Sequence, residues 1–318
     1  MPKGKKFIFP ITGLLFFIIL PLIMKDAYYQ HVLNLSFLSA VSVYALNIMT
    51  GFTGQLNIAH AGFMGVGAYV SALLTSQFGL SFWIAMPLAA MSSALLGLLI
   101  GYPALRVRGI YFALTTLAFG ELLFIVFDNW IAVTRGPMGI TGIPSPSPIT
   151  LTESVSIVFN TKIGFYYLCL FFVAFSIYLN RELLNSRLGR AMLAIRENEH
   201  LAQSIGVSVA QTKVLAFVLS TALCGIAGSL YAHYFKFISP VSFTLGEMFR
   251  YLTMLVVGGM GTVLGPLVGA VLFTVLPEVL RSLEAYQWLL YGLILMLCVA
   301  FMPEGIVGYI NKKIGKTR

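Results

Sequence analysis

The chain has 318 residues, is 58% hydrophobic and 10% charged, and has a mean hydropathy of +0.90. Soluble domains are about 25% charged, and no soluble fold of this length hides so much apolar surface. The net charge of +9 would suit nucleic acid, but no soluble basic face exists to carry it, so that partner is excluded and the lipid bilayer is the expected solvent.

A spanning helix needs about 20 largely apolar residues. About ten segments approach that rule. They are Phe7–Met24, Val32–Thr50, Ala61–Gln77, Phe82–Gly101, Tyr111–Trp130, Ile163–Asn180, Val214–Phe235, Phe249–Met260, Val263–Leu283 and Tyr286–Pro303. The eighth is short, and the ninth is open to a break at Pro277. Long unbroken apolar runs exclude an outer-membrane barrel, whose strands alternate. The expected fold is therefore an all-α integral membrane protein. It is a polytopic bundle of about ten transmembrane helices with Gly-broken segments, in one domain over residues 1–318.

Charge orients the bundle. With a cytoplasmic N-terminus, the cytoplasmic side receives Lys3, Lys5, Lys6, Arg106, Arg108, Arg181, Arg187, Arg190, Arg196, Lys213, Lys312, Lys313, Lys316 and Arg318. The outer side receives Lys25, Arg135, Lys162, Lys236, Arg250 and Arg281. The excess obeys the positive-inside rule, and an even number of spans returns the C-terminus to the cytoplasm. The first segment reads as a retained anchor, because no small-x-small cleavage site precedes Ala27.

In chain order, the first distinctive stretch is Gly51-Phe-Thr-Gly54-Gln55-Leu-Asn57-Ile-Ala-His60-Ala-Gly62, continuing through Gly65 and Gly67. Its glycines accompany polar groups near membrane depth. Such backbone survives only when buried in protein or lining a cavity, and broken helices form midplane sites in transporters. A translocation path or gate at Gly51, Gly54, Gln55, Asn57, His60 and Gly62 is one reading; close helix packing through small residues is the other. Glu121 is the one acid well inside a span, which nominates it for the path or a proton relay, against a structural hydrogen bond to a neighbouring helix. The segment from Ile131 to Lys162, with Pro137, Pro144, Pro146 and Pro148, is expected outside the membrane, as a docking surface or an ordered cap.

The charged stretch 181–213 is expected in the cytoplasm. Ala191, Ile195, Ala202 and Ile205 recur near helical spacing and give an apolar face, with Arg196, Glu197 and Glu199 opposite and Gly206 as a stop. It reads as a docking helix for a soluble partner or as a helix lying on lipid. Gly258-Gly259-Met-Gly261 through Gly265, Gly269 and Ala270 echoes the first glycine-rich stretch. The tail Ile314-Gly315-Lys316-Thr317 is no phosphate loop, since Ile310 stands where the first Gly is required. Cys169, Cys224 and Cys298 read as small core residues; no catalytic set or metal motif is found.

Taken together, these stretches resemble the M-type permease subunit of bacterial branched-chain amino acid ABC importers. The resemblance rests on Gly51 through Tyr69, Leu105 through Glu121, Arg135-Gly136-Pro137-Met-Gly139-Ile, Ser186-Arg-Leu-Gly-Arg190-Ala through Gly206, Gly258 through Pro266, and Met302-Pro303-Glu304-Gly305. It implies a non-enzymatic transport subunit in the bacterial inner membrane that moves branched-chain or related hydrophobic amino acids by alternating access. Importers of urea, short amides or sugars, and a proton-coupled carrier, are the alternatives. The implied partners are a paralogous H-type permease, two cytoplasmic ABC ATPases that use ATP and Mg2+, and an extracytoplasmic solute-binding protein. This chain is expected to bind no cofactor itself. The resemblance assigns ATPase coupling to Arg190, Arg196, Glu197, Glu199, Ala202 and Gly206, with Ala202 and Gly206 at the Ala and Gly of the importer EAA pattern. His200 and Leu201 depart from that pattern. Arg135, Gly136 and Pro137 would meet the binding protein.

Overall fold

The apolar runs become helices because a buried or lipid-facing backbone must satisfy its own N–H and C=O groups. In the computed structural model the described residues are Pro21, 26–105, 107, 109–152, 155–279, 286–302 and 304–313. But for Pro21, the first expected span lies outside them, as do Lys25, Arg106, Arg108, Arg281, Pro303 and the Gly315-Lys316-Thr317 tail.

The helices are α1 (Ala27–Leu46), α2 (His60–Ser76), α3 (Phe82–Ala104), α4 (Ile110–Asn129), the single turn α5 (Ile131–Thr134), α6 (Lys162–Asn185), α7 (Arg187–Glu197), α8 (Glu199–Ser204), α9 (Val209–Phe235), α10 (Leu245–Gly258), α11 (Gly265–Val279), α12 (Gln287–Phe301) and α13 (Gly305–Lys313). A helix thus stands at each expected span from the second to the tenth. Five of these segments are long and apolar enough to cross a membrane: Ala27–Gly51, Phe82–Ala104, Ile110–Asn129, Lys162–Asn185 and Val209–Phe235. α10 and α12 have 14 and 15 residues, α2 has 17, and α11 has 15 within the described residues. Pro277 does not end α11, which runs on to Val279.

α1 is the hub and is almost wholly buried, packing against α6, α9, α10 and α11. α9 packs across α1, α2 and α3. The contact is close because it is built from small residues: the buried stripe of α3 is Ala85, Ala89, Ser93, Gly97 and Gly101, and a Cβ on Gly67 would collide with the Gly225 backbone of α9. Without a hydrophobic drive between helices in lipid, such dispersion contact is what holds them. The outer faces of α3 and α4 expose Leu95, Leu99, Tyr111, Leu122 and Ile125, as a lipid-facing surface requires.

The described residues of 131–162 fold against the ends of the helices. Strand β1 (Ile140–Thr141) pairs antiparallel with β4 (Phe237–Ile238), and β2 (Ile149–Thr152) pairs with β3 (Val155–Ile157). Trp83 Nε1 donates to the Ser147 carbonyl at 3.1 Å, and His233 Nδ1 lies 2.7 Å from the Pro144 carbonyl. These bonds pin the prolines to the ends of α3 and α9. Lys162 and Lys236 lie at this cap end, where they bond the Ala27 carbonyl and Asn160.

Candidate functional site

α1 does not stop cleanly. Its last turn widens into a π turn at Asn47–Gly51, and the chain stays non-helical from residue 54 until α2 begins at His60. The freed amides are served by side chains: Thr50 Oγ1 accepts from Asn57 N–H at 3.4 Å, Thr116 Oγ1 from Ile58 N–H at 3.1 Å, and Asn57 Oδ1 from Ala59 N–H at 3.1 Å. Irregular backbone inside the bundle is tolerated because these bonds replace the lost helix ladder.

The break meets the second glycine-rich stretch. Asn47 donates from Nδ2 to Asn180 Oδ1 and to the Thr262 carbonyl, both at 3.2 Å, and accepts from Gly261 N–H at 2.8 Å. Tyr44 donates to the Val263 carbonyl at 2.8 Å. Gly51 must be glycine: a Cβ there would lie 2.8 Å from Gly261 N and would also strike the Asn47 amide. The two stretches that look alike in sequence are in contact.

The charged segment closes the same junction. Arg196 donates from Nη1 to the Gly51 carbonyl at 2.7 Å, and its stem passes Gly54. Its guanidinium also lies where a Cβ on Gly261 would be. The segment folds as two helices rather than one. Ser186 caps α7, and Asn198 ends α7 and caps α8, its Oδ1 accepting from His200 and Leu201 N–H at 3.0 and 3.1 Å. Gly206, at φ +89°, ends α8.

The break at Asn198 and the end of α8 at Ser204, before Ile205, correct the single apolar face read from spacing. Ile195 and Ala202 are buried, but Ile205 is 76% exposed and Leu201 64%. Glu199 turns inward to Lys213, whose ammonium is fully buried, at 2.7 Å. Of the residues expected at the coupling surface, Arg190, Glu197 and Gly206 are exposed, while Ala202 and Glu199 serve the fold. Leu201 joins Ile205 as an exposed apolar residue, a pairing the sequence reading did not make. Their i, i+4 spacing was the available signal.

Deeper in the bundle, His60 is buried. Its Nε2 lies 3.0 Å from Ser42 Oγ and 3.6 Å from Cys224 Sγ, and the ring meets Tyr251 edge-on with centroids 6.1 Å apart. Besides Asn34 Oδ1, Tyr69 Oη and Thr274 Oγ1, three buried polar atoms have no partner among the described residues, all in this stretch: His60 Nδ1, Asn57 Nδ2 and Gln55 Oε1. Their residues bond in turn to Ser42 of α1, to Thr50 in the π turn and to Thr53 just past it. Unsatisfied buried polar atoms are costly and rare.

Gly62 belongs to helix packing, against Leu123 and Gly120 of α4. Glu121 is half-buried beside it and borders a small crevice with Phe243 and Met248. It makes no hydrogen bond or ion pair among the described residues, so the structural bond expected of it is not found. At the cap end, Arg135 (φ 61°) and Pro137 are exposed and Gly136 is buried under them.

Comparison with known proteins gives these geometries a context. A family model described as the permease component of the branched-chain amino acid transport system matches residues 28–301. The high-affinity branched-chain amino acid transport system permease protein LivM of Salmonella typhimurium is 37% identical over 279 residues, covering 82% of this chain and 66% of LivM. LivM of Escherichia coli is 36% identical over the same lengths. The chain therefore spans just under two thirds of these relatives. LivH of Salmonella typhimurium is 25% identical over 293 residues, covering 84% of this chain and 92% of LivH. No solved structure matches.

Proposed function

The chain belongs to the branched-chain amino acid transport system permease family, and we propose that it forms half of the membrane path of an ATP-driven importer for branched-chain or related hydrophobic amino acids. It hydrolyses nothing itself. Two cytoplasmic ATPases bind ATP and Mg2+, a paralogous H-type permease supplies the other half of the path, and a solute-binding protein delivers the amino acid at the cap end. Similarity to both LivM and LivH supports the paired permeases. About ten spans in an inner membrane, with both termini and the glycine-turn end in the cytoplasm, agree with the helix order and the charge balance.

One observation carries the mechanism: Arg196 of the charged segment holds the Gly51 carbonyl in the broken helix. A push on α7 and α8 therefore acts directly on the break, and through Asn47 on Gly261 and α11. ATP-driven closure of the ATPases would move α8, shift the junction and switch the path around Asn57 and His60 between its two openings. The amino acid biases that equilibrium only by its differential affinity for the two states. Leu201 on α8 and Ile205 at its C-cap, both exposed, are the contacts offered to the ATPase. Arg135 and Pro137 are offered to the binding protein.

The test is Leu201→Glu combined with Ile205→Glu in the complete importer reconstituted into liposomes. Neither side chain supports the fold, so the melting temperature should hold while ATPase co-purification and leucine uptake are lost. Unchanged uptake in the double variant would remove α8 from the coupling path.

A further inference from the structure

A cavity of about 300 Å3 opens between α1, the C-terminal end of α9 and the first turns of α10. That is the lower end of the range for small-molecule pockets, roughly 300–1,000 Å3. Its walls are of two kinds. Leu35 and Leu38 of α1 and Met64 of α2 make an apolar side. Glu247 and Arg250 of α10 make a charged side, paired through Arg250 Nη2 and Nε to Glu247 Oε2 at 2.6 and 2.8 Å. Both side chains remain about a quarter exposed, at 28% and 24%. Arg250 is also held over the Tyr251 ring, 5.2 Å from its centroid.

The placement relates this cavity to the row of unpartnered atoms. Tyr251 and Met64 line the cavity and also border His60, the first of the row: the rings meet edge-on, and Met64 Sδ lies 3.6 Å from the Ser42 hydroxyl that His60 contacts. The cavity is thus one side chain away from the buried path, on the cap side of it.

We propose that this cavity is the membrane site that receives the free amino acid, with Arg250 taking the α-carboxylate, Glu247 the α-ammonium, and Leu35, Leu38 and Met64 the aliphatic side chain. The assignment rests on the importer reading above and adds the site and its selection rule. An internal ion pair is suited to a zwitterion because the guest exchanges one pairing for two and leaves no charge uncompensated. A guest with only one of the two charges strands the other protein group, which is expensive in a site partly shielded from water. The site therefore selects for free amino acids against the matching alcohol, acid, amine, sugar or urea. Its aliphatic wall favours branched side chains over polar ones.

The experiment uses the complete permease–ATPase assembly in lipid nanodiscs, without the solute-binding protein, so that the membrane site alone is read. L-Leucine binding is followed by saturation-transfer NMR, with 4-methylpentanoate and isoamylamine as competitors lacking one charge each. Leucine should bind saturably, and each competitor should displace it at least tenfold less well than unlabelled leucine does. Glu247→Gln and Arg250→Gln should each weaken leucine binding tenfold or more. The double variant Glu247→Gln with Arg250→Gln leaves no lone charge and should keep the wild-type melting temperature, yet fail to bind leucine. Leucine binding by that folded double variant at wild-type strength would overturn the proposal, as would equal displacement by the singly charged competitors. If the wild-type importer pumps leucine while the variants bind and pump normally, the site is wrong and the importer reading stands. Selective zwitterion binding here without ATP-driven leucine uptake would support the site and defeat the reading it rests on.

Discussion

Replacing Asn47 with leucine tests whether the glycine-rich junction is held by this one side chain. Leucine keeps the volume and removes the polarity. Three bonds go: to Asn180 Oδ1, to the Thr262 carbonyl and from Gly261 N–H. Interhelical hydrogen bonds in membrane proteins average about 0.6 kcal/mol and reach about 1.7, so three bonds give roughly 2 kcal/mol, with a ceiling near 5. Asn180 and Gly261 lose a buried partner rather than exchanging it for water, at about 1–3 kcal/mol each. For the two groups that is about 2–6 kcal/mol, which reaches above the plain average. Reversible unfolding in mixed micelles by SDS titration measures it, and a cycle with Asn180→Leu isolates the Asn47–Asn180 bond at about 0.6–1.7 kcal/mol. Leucine uptake should fall with it, because the break would lose its tie to α11. An Asn47→Leu protein within about 0.5 kcal/mol of wild type would refute the view that Asn47 knits the junction.

Two further predictions use the same structure. Gly51→Ala puts a methyl against Asn47 and Gly261 and should cost about 1–3 kcal/mol by overpacking, whereas Gly292→Ala, with open space around it, should cost nothing in the same titration. Glu199→Gln leaves the buried Lys213 ammonium without its carboxylate and should destabilise by about 3–5 kcal/mol. Adding Lys213→Met to it should recover most of that loss, and a thermal scan that finds the double variant no better than the single would contradict the pairing.

The correction at α7 and α8 shows where sequence spacing stops being informative. Periodicity places Ile195, Ala202 and Ile205 on one face only if one helix runs unbroken from α7 past Ser204. Asn198 interrupts it, because its side chain satisfies two amides of the next turn better than another helical residue would. Ala202 still turns inward, but α8 ends at Ser204, and Ile205, as its C-cap, is exposed. The row at Gln55, Asn57 and His60 was easier to foresee, since polar groups among glycines inside apolar runs are costly wherever they fall. Asn47 and Asn180 carried the same signal, each a lone amide in an apolar span. What they bond could not be foreseen.

Apolar runs of the right length determined by themselves that the chain is a helical membrane protein, and roughly where each helix lies. Burial in lipid demands only local composition and an internally bonded backbone. The charge bias along the chain likewise set the expected orientation. Only the tertiary structure decided that Arg196 reaches a carbonyl 145 positions away, that the two glycine-rich stretches touch, and that Glu247 and Arg250 face Leu35 across a cavity. Those contacts depend on how closely α1, α9, α10 and α11 approach. Side-chain volumes packed in three dimensions set that approach, and no spacing along the chain encodes it.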